Sequence, residues 1–595
     1  MAGFDVVVAG GRVIDPETGL DQVGDVGIRG GSIAAVSAAP LAGRVRLDAA
    51  GLVVAPGFVD LHCHAQTVPS LRMQALDGVT TALELEAGGY PVAAAYQASA
   101  SEGRPINYGF AASWIGTRMA VLDQAPLDGS FAALTAAFGG SGWHGLVDGP
   151  TAAGIVAEVD KELGEGGIGI GLMPGYAPES NHEEYLAMAA LAARRDVPTY
   201  THVRHSHARE PGSCVDGVGE LVHVAAMTGA HMHLCHVNST GWRRAPELLE
   251  LLGRAQGFGL RLSTEMYPWG AASTVMGAPW FDPANLDHTG ITPQDMFDAS
   301  RGRRVRDVED LAAIRRETPG DIGVFFFLDE TTKDDLAVLD AVLAHPDVAV
   351  ATDAVPYLSG GQPVQGQVWP LPDDALAHPR LAGTFCRTLR RQTRERRVLT
   401  LPEAIRRMTL VPAQVIEAAA PDARRKGRLQ PGCDADVVAF DPTPSPSTPP
   451  TTTLANPPTA CATSSSAAPR WCATASSTPP SCPAARSAAT AGSQARTTPT
   501  GEQPMPSPHD RLLTPAEREA AQLLVTLAWR LEGGQLASTD RLLARLCAIP
   551  PNDVAMASIV LLRKVVHGVA PVVRKPSTEI LGDLRAWLGR GDPGQ

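Results

Sequence analysis

Eight short apolar segments, each separated from the next by a longer helix-compatible stretch, run through the middle of this chain and leave little choice of architecture. They fall at 52 to 62, 79 to 86, 106 to 112, 167 to 172, 198 to 202, 231 to 236, 260 to 267 and 348 to 353. Strands that alternate with crossover helices pair in parallel, because a parallel neighbour is reached only through a long connection. Eight of them predict an α/β chain built on a (β/α)8 barrel, whose chemistry sits at the C-terminal ends of its strands.

The residues at those ends are unusual for apolar segments. The first closes as Val59-Asp60-Leu61-His62-Cys63-His64, and alternation along a strand sends His62 and His64 to one face. The second carries Glu84 and Glu86, again two apart. A carboxylate in an apolar strand is costly unless it is paired or bound to a metal, so one of these glutamates is expected to share an ion with the histidines. The fifth ends at His202, the sixth at His236 and the eighth at Asp353. In the sixth, alternation turns His231 and His233 away from His236 and assigns them to structure. One His-x-His pair alone also suits two histidines satisfied by polar neighbours. Repeated at later strand ends and joined by carboxylates, it predicts a metal-dependent hydrolase site, since neutral imidazole and carboxylate are favoured zinc ligands.

Composition bounds the rest. A chain of 595 residues exceeds one core and implies several domains. A formal charge of −13 argues against a surface that tracks nucleic-acid phosphates, and no apolar run is long enough to span a membrane. Met1 to Asp5 lacks the start of a secretory signal, so the expected compartment is the cytoplasm and the expected partner a small molecule. The nine cysteines contain no CxxC pair, which excludes a cysteine zinc knuckle and gives no disulfide framework. Residues 4 to 55 alternate short strands with Gly-rich turns and read as a small all-β unit.

The motif Gly57 to His64, with the later stretch Lys426-Gly427-Arg428-Leu429-Gln430-Pro431-Gly432-Cys433-Asp434-Ala435-Asp436-Val437-Val438, resembles the amidohydrolase superfamily. The likeness implies a barrel over 56–419 and a β-sandwich from 1–55 completed by 420–441. It also implies one or two zinc ions. Dihydroorotase- and hydantoinase-like members carry a carboxylated lysine on the fourth strand, but Gly167 to Tyr176 holds none. This Gly-rich segment instead resembles the D-aminoacylase (N-acyl-D-amino-acid deacylase) branch, in which a second-strand residue, typically cysteine, bridges the metals. Glu86 or Glu84 stands there. Glu86 is favoured because it lies nearer the strand end and because Glu-Leu-Glu resembles the N-acyl-D-glutamate deacylase-like subgroup.

The resemblance assigns further roles. His202, His236 and Glu86 would hold the tighter metal, His62 and His64 with the same glutamate the second, and Asp353 would shuttle the proton. Tyr267 and Ser273, in a stretch like the branch's substrate loop, and Arg380, in its arginine motif, would hold the carboxylate of an N-acyl amino acid. Guanidinium meets carboxylate with two parallel hydrogen bonds, which suits Arg380 to the task. Apart from the resemblance, Arg204, His205 and His207, on the loop after His202, and Arg118 stand either to touch substrate or simply to meet solvent. Asn238 stands where many members carry lysine, which withdraws the usual partner of an acidic substrate side chain. The Pro/Gly-rich piece from Tyr357 to Leu371 is placed to act as a lid. Assembly with further copies of the chain is left open. A cyclic amidase is disfavoured by the missing lysine, and a non-catalytic scaffold by the intact ligand set.

After Asp441 the texture breaks. From Thr443 to Thr500 there is no Asp, Glu, Lys, Ile, Val, Phe, Tyr or Met, a composition that cannot bury a core. Residues 442–504 are therefore expected to be a disordered Pro/Ser/Thr/Ala-rich segment. It stands where closing sandwich strands belong, so a shifted reading frame fused to a neighbouring protein from Met505 is the preferred origin. Residues 505–595 read as a small helical module, opened by the capping box Thr514-Pro515-Ala516-Glu517.

Overall fold

The computed structural model describes residues 3–442. The expectations for 443–504 and for the module at 505–595 lie outside the described residues. The chain opens with five strands, β1 (Phe4–Asp15), β2 (Leu20–Arg29), β3 (Ser32–Ser37), β4 (Gly43–Asp48) and β5 (Val53–Pro56). β2 lies antiparallel to β1, with a register shift between Val8 and Gly11. On the other side the first half of β1 pairs in parallel with β4, and its second half, at Arg12 and Val13, with β5. The glycine pair at the shift explains this division. Gly10 has a φ of 72°, and a side chain on Gly11 would come within 2.5 Å of Val54.

One predicted segment, 52 to 62, is two strands. β5 belongs to the small sheet, whereas β6 (Phe58–Asp60) begins the barrel. Between them Gly57 passes so close to Thr80 that a Cβ would sit 2.1 Å from the hydroxyl oxygen. Alternation cannot report such a crossing, because both pieces are apolar and buried.

The barrel continues with β7 (Val79–Gly89), β8 (Asn107–Ser113), β9 (Ile170–Leu172), β10 (Thr199–Thr201), β11 (Met232–Leu234) and β12 (Leu262–Met266). An insertion follows, carrying β13 (Ala271–Val275), β14 (Met296–Asp298), β15 (Arg303–Arg304) and β16 (Ile322–Phe326) in a separate sheet of order β13-β16-β14-β15. The eighth barrel strand is β17 (Val348–Val350), so the eight neighbours run β6 to β12 and then β17, all parallel. Val59, Leu61, Leu83, Leu85, Ile168 and Tyr200 form one buried cluster with Val411 and Val415 of the helix Leu410–Ile416. Each such side chain contributes about 1.5–3 kcal/mol relative to exposure.

The seam between the first and eighth strands lies at the candidate site. Asp353 N–H donates to the His62 carbonyl at 2.7 Å, and Cys63 bridges to Ala354. Below them the buried Asp60 carboxylate accepts from Thr352 N (3.0 Å), Thr352 Oγ1 (2.6 Å), His62 N (3.2 Å) and Gln74 Nε2 (2.9 Å). Burial pushes Asp60 up to about 6 even though these hydrogen bonds favour its ionised form.

The stretch expected to act as a lid holds the short hairpin β18 (Leu358–Ser359) and β19 (Gln362–Pro363). It lies along the side of the barrel. Arg72 Nη2 donates to Gln367 Oε1 at 2.6 Å, Gln367 Nε2 donates to the Glu102 carbonyl at 2.6 Å, and the Arg72 guanidinium stands 5.9 Å from the Trp369 ring. None of its residues lines the cavity described below. Finally β20 (Val437–Phe440) returns antiparallel to β5, bringing Val437 and Ala439 into the core of the small sheet beside Val54 and Val13. Among the described residues no helix is long and apolar enough to cross a membrane.

Candidate metal centre

Two pairs of imidazoles meet around one carboxylate at the mouth of the barrel. His202 Nδ1 and His236 Nε2 stand 3.1 Å apart, and Glu86 Oε1 lies 3.1 Å from the first and 2.8 Å from the second. On the other side His62 Nε2 and His64 Nε2 are also 3.1 Å apart, with Glu86 Oε2 at 3.3 and 3.6 Å. Asp353 Oδ1 faces this second pair at 3.5 Å from each nitrogen. All six side chains are buried. Glu86 thus faces a different histidine pair with each of its oxygens.

The other glutamate does something else. Glu84 Oε1 and Oε2 lie 2.9 and 3.0 Å from His64 Nδ1, the ring nitrogen opposite the cluster. His62 is held in the same way by Glu265 Oε1, 2.5 Å from its Nδ1. A carboxylate on the outer nitrogen fixes tautomer and ring orientation, leaving the inner nitrogen as a lone-pair donor. Glu86→Ala is therefore expected to lower metal content steeply. Glu84→Gln, which can still accept from His64, should cost about 10–100-fold in metal affinity at most. Metal analysis after dialysis measures both, and the reverse order of effects would exchange their roles.

Charge balance follows from this packing. Burial alone would lower the basicity of His62, but Glu86, Asp353 and Glu265 outweigh it and hold the imidazole well above its ordinary range. Burial would raise Glu86, yet His62, His202 and His236 hold it well below the usual carboxylate range. Two facing imidazole nitrogens can share one proton at most, so without an ion the close approach of each pair depends on a proton held between them. A divalent cation relieves that arrangement, and a nitrogen and oxygen donor set suits zinc. Three groups of side chains are close enough to hold an ion: Glu86 with His202 and His236, His62 with His64 and Asp353, and His62 with Cys235 and Glu265.

The alternation argument for the sixth strand needs correction. β11 stops at Leu234, and His236 reaches the centre through a left-handed backbone with φ 34°, as does Asp353 with φ 50°. His233, expected to face away, points inward, with its Nε2 3.3 Å from Glu265 Oε2, and so supports the carboxylate that holds His62. Its Nδ1 and His231 Nε2 each lie 2.8 Å from Ser263 Oγ.

Arg380, Ser273 and Tyr267 also come together. Arg380 is fully buried, donating through Nη1 to Asp353 Oδ2 at 2.9 Å and through Nη2 to Ser273 O and Oγ at 2.9 and 3.0 Å. Its guanidinium lies 4.6 Å from the Tyr267 ring, and its Nε has no hydrogen-bond partner among the described residues. Asn238 is buried beneath this group, Nδ2 donating to Tyr267 O at 3.0 Å. Two other candidates fall away. Arg118 is spent on Glu184 (2.5 Å) and Trp143 O (2.7 Å), and Arg204 on Glu220 (3.0 Å) and Pro178 O (2.6 Å). His207 reaches the cavity wall.

An open cavity of about 800 Å³ lies over the centre. Its walls include Phe131, stacked on His64 at 5.0 Å, and Trp280, stacked on His202 at 5.2 Å. Neither was found from sequence. Phe131 opens the six-residue helix Phe131–Ala136 and Trp280 lies in the 3-10 turn Pro279–Phe281, both too short for a periodicity that marks a side chain as facing a ligand.

Fold and site together define a (β/α)8 barrel with a histidine and carboxylate centre at its strand ends. Residues 46–456 match the model of the amidohydrolase family, and the chain belongs to that family. The N-acyl-D-glutamate deacylase of Alcaligenes xylosoxydans xylosoxydans is 30% identical over 473 residues, spanning 74% of this chain and 87% of that protein. The N-acyl-D-aspartate deacylase of the same organism is 28% identical over 469 residues, spanning 74% and 86%. Among solved structures, N-acyl-D-glutamate deacylase from Bordetella bronchiseptica, complexed with zinc and a phosphonate inhibitor, is 24% identical with a TM-score of 0.57 over 74% of this chain and 90% of that one. That structural likeness bears on the fold.

Proposed function

We propose that the protein is a zinc-dependent deacylase that hydrolyses the linear amide of an N-acyl-D-amino acid to a carboxylate and the free amino acid. The observation that carries the reading is Glu86 between the two histidine pairs, with Asp353 bound to Arg380 beside them. The relatives named as deacylases of N-acyl-D-amino acids support the substrate class. The fourth strand, Ile170–Leu172, offers no lysine, and Lys161 pairs with Glu158 on the surface at 2.7 Å, which disfavours a cyclic amidase of the lysine-bridged type.

His202, His236 and Glu86 would hold one zinc ion, and His62, His64 and the same glutamate a second. When bound, zinc supplies Lewis-acid polarisation of the carbonyl and brings the pKa of water towards neutrality. The protein's own residues handle the protons and the orientation. Burial works against the Asp353 carboxylate, but Arg380 and His62 hold it well below the ordinary range, so it stands ionised beside the centre, where it would accept a proton from the attacking water. It then returns that proton to the departing amine, which leaves poorly unless protonated. Arg380, Ser273 and Tyr267 orient the free carboxylate.

Zinc analysis combined with assays on matched N-acyl-D- and N-acyl-L-amino acids tests the reading. Turnover of the D series with metal present is expected, and turnover of neither series would refute it. Arg380→Lys keeps a cation for Asp353 but loses the planar pair of donors. Its loss in kcat/KM is expected to be about tenfold larger for N-acyl amino acids than for N-acyl amines without a carboxylate. Equal losses on both would make Arg380 a support for Asp353 alone.

A further inference from the structure

We infer that the site selects N-acyl amino acids with a large apolar side chain and excludes acidic ones. This rests on the deacylase reading above and deepens it. Beyond the centre, the cavity is walled by Phe131, Leu134 and Phe138 from the connection between β8 and β9, and by Trp280, Ile291 and Phe325 from the insertion after β12. The cavity is open to solvent above the centre, so a substrate can enter along these walls. Once the carboxylate is held at Arg380 and the amide at the centre, the side chain and the acyl group must both lie against these walls.

Among the described residues the wall holds no lysine or arginine. Two cations nearby are already committed, Arg315 to the carbonyls of Met276 and Ala278 and Arg204 to Glu220, while Arg380 is the group assigned to the α-carboxylate. The described lysines are elsewhere, Lys161 with Glu158, Lys426 with Asp434 and Asp436, and Lys333 exposed at a helix start. Several polar groups on the wall have partners too, Tyr176 OH and Thr274 Oγ1 lying 2.6 Å apart, Thr289 Oγ1 donating to Leu286 O at 3.2 Å and Ser239 Oγ to His236 O at 3.3 Å, and Ser206 adds a neutral hydroxyl. His207 is the remaining imidazole on the lining. A side-chain carboxylate placed here would be desolvated against aromatic rings without a strong partner, whereas an aliphatic or aromatic side chain gains by leaving water. The selectivity therefore departs from the acidic substrates named for the two relatives.

Initial rates with the metal-loaded full chain on N-acetyl-D-leucine, N-acetyl-D-methionine and N-acetyl-D-phenylalanine, against N-acetyl-D-glutamate and N-acetyl-D-aspartate, test this. The apolar series is expected to exceed the acidic one by about 100-fold in kcat/KM. A ratio below about ten overturns the inference while leaving the deacylase reading intact. Turnover of neither series defeats both. Ile291→Lys and Leu134→Lys, on separate walls, should each move the ratio about tenfold towards glutamate, and an unmoved ratio in both folded variants also overturns it. His207→Ala should leave the ratio unchanged. A loss confined to the acidic substrates would make His207 their partner and overturn the exclusion.

Discussion

Replacing either His202 or His236 by alanine is expected to remove the tighter metal ion and to lower kcat/KM by about a thousandfold or more. Each imidazole is one of three side chains that converge on that position, His202 Nδ1 and His236 Nε2 lying 3.1 and 2.8 Å from Glu86 Oε1. No other described side chain completes the trio. An alanine leaves two donors where a closed set needs at least three, and the affinity falls with the missing bond. Loss of Lewis-acid polarisation removes several kcal/mol of transition-state stabilisation, and each 1.4 kcal/mol is about tenfold in rate. Elemental analysis after gel filtration and a rate assay with added zinc check the two halves separately. Full metal occupancy in both variants would sink the assignment. Activity restored to the parent level by excess zinc would show weakened binding with the chemistry intact.

How far the sequence carried this centre depends on which residues are considered. The barrel was legible because each strand is a short apolar run with a long connection after it, and all eight segments fall on strands of the described sheet. His62 and His64 were legible because they close the first run two residues apart. The choice between Glu84 and Glu86 was not a matter of periodicity. Both lie on one face of β7, and what separates them is depth relative to a neighbouring strand: His64 meets Glu84 through its outer nitrogen, while Glu86 extends past it to the other pair. His236 was reached although alternation is not what directs it. Its left-handed backbone turns the ring into the site after the strand has ended, and the same alternation misplaced His233. Glu265 falls within the seventh segment, 260 to 267, but nothing local gives it a role, because its value lies in a contact with His62 some 203 positions earlier in the chain. Phe131 and Trp280 were beyond reach for a simpler reason, since a six-residue helix and a three-residue 3-10 turn are too short to show a period from which a facing side can be read.

Asp353→Asn should separate chemistry from metal binding. The substitution keeps the shape of the side chain, and its amide oxygen can still accept from Arg380 Nη1, which now lies 2.9 Å from Oδ2. The ion proposed at His202, His236 and Glu86 would not depend on it, so metal content at that position should stay near the parent value. What disappears is the base. A carboxamide cannot take a proton from the attacking water or return one to the leaving amine, a loss of about 100- to 10,000-fold for a positioned acid–base group. The fold will also feel the change, because Arg380 is fully buried and its charge loses an ionised partner. Melting curves therefore accompany the kinetics, with the rate read well below the variant's own midpoint. Retained metal, a native-like transition and a rate lowered by this amount would place Asp353 in the proton path. A folded variant within about tenfold of the parent rate would remove it from the mechanism and leave the Asp353 to Arg380 pair as a structural strut.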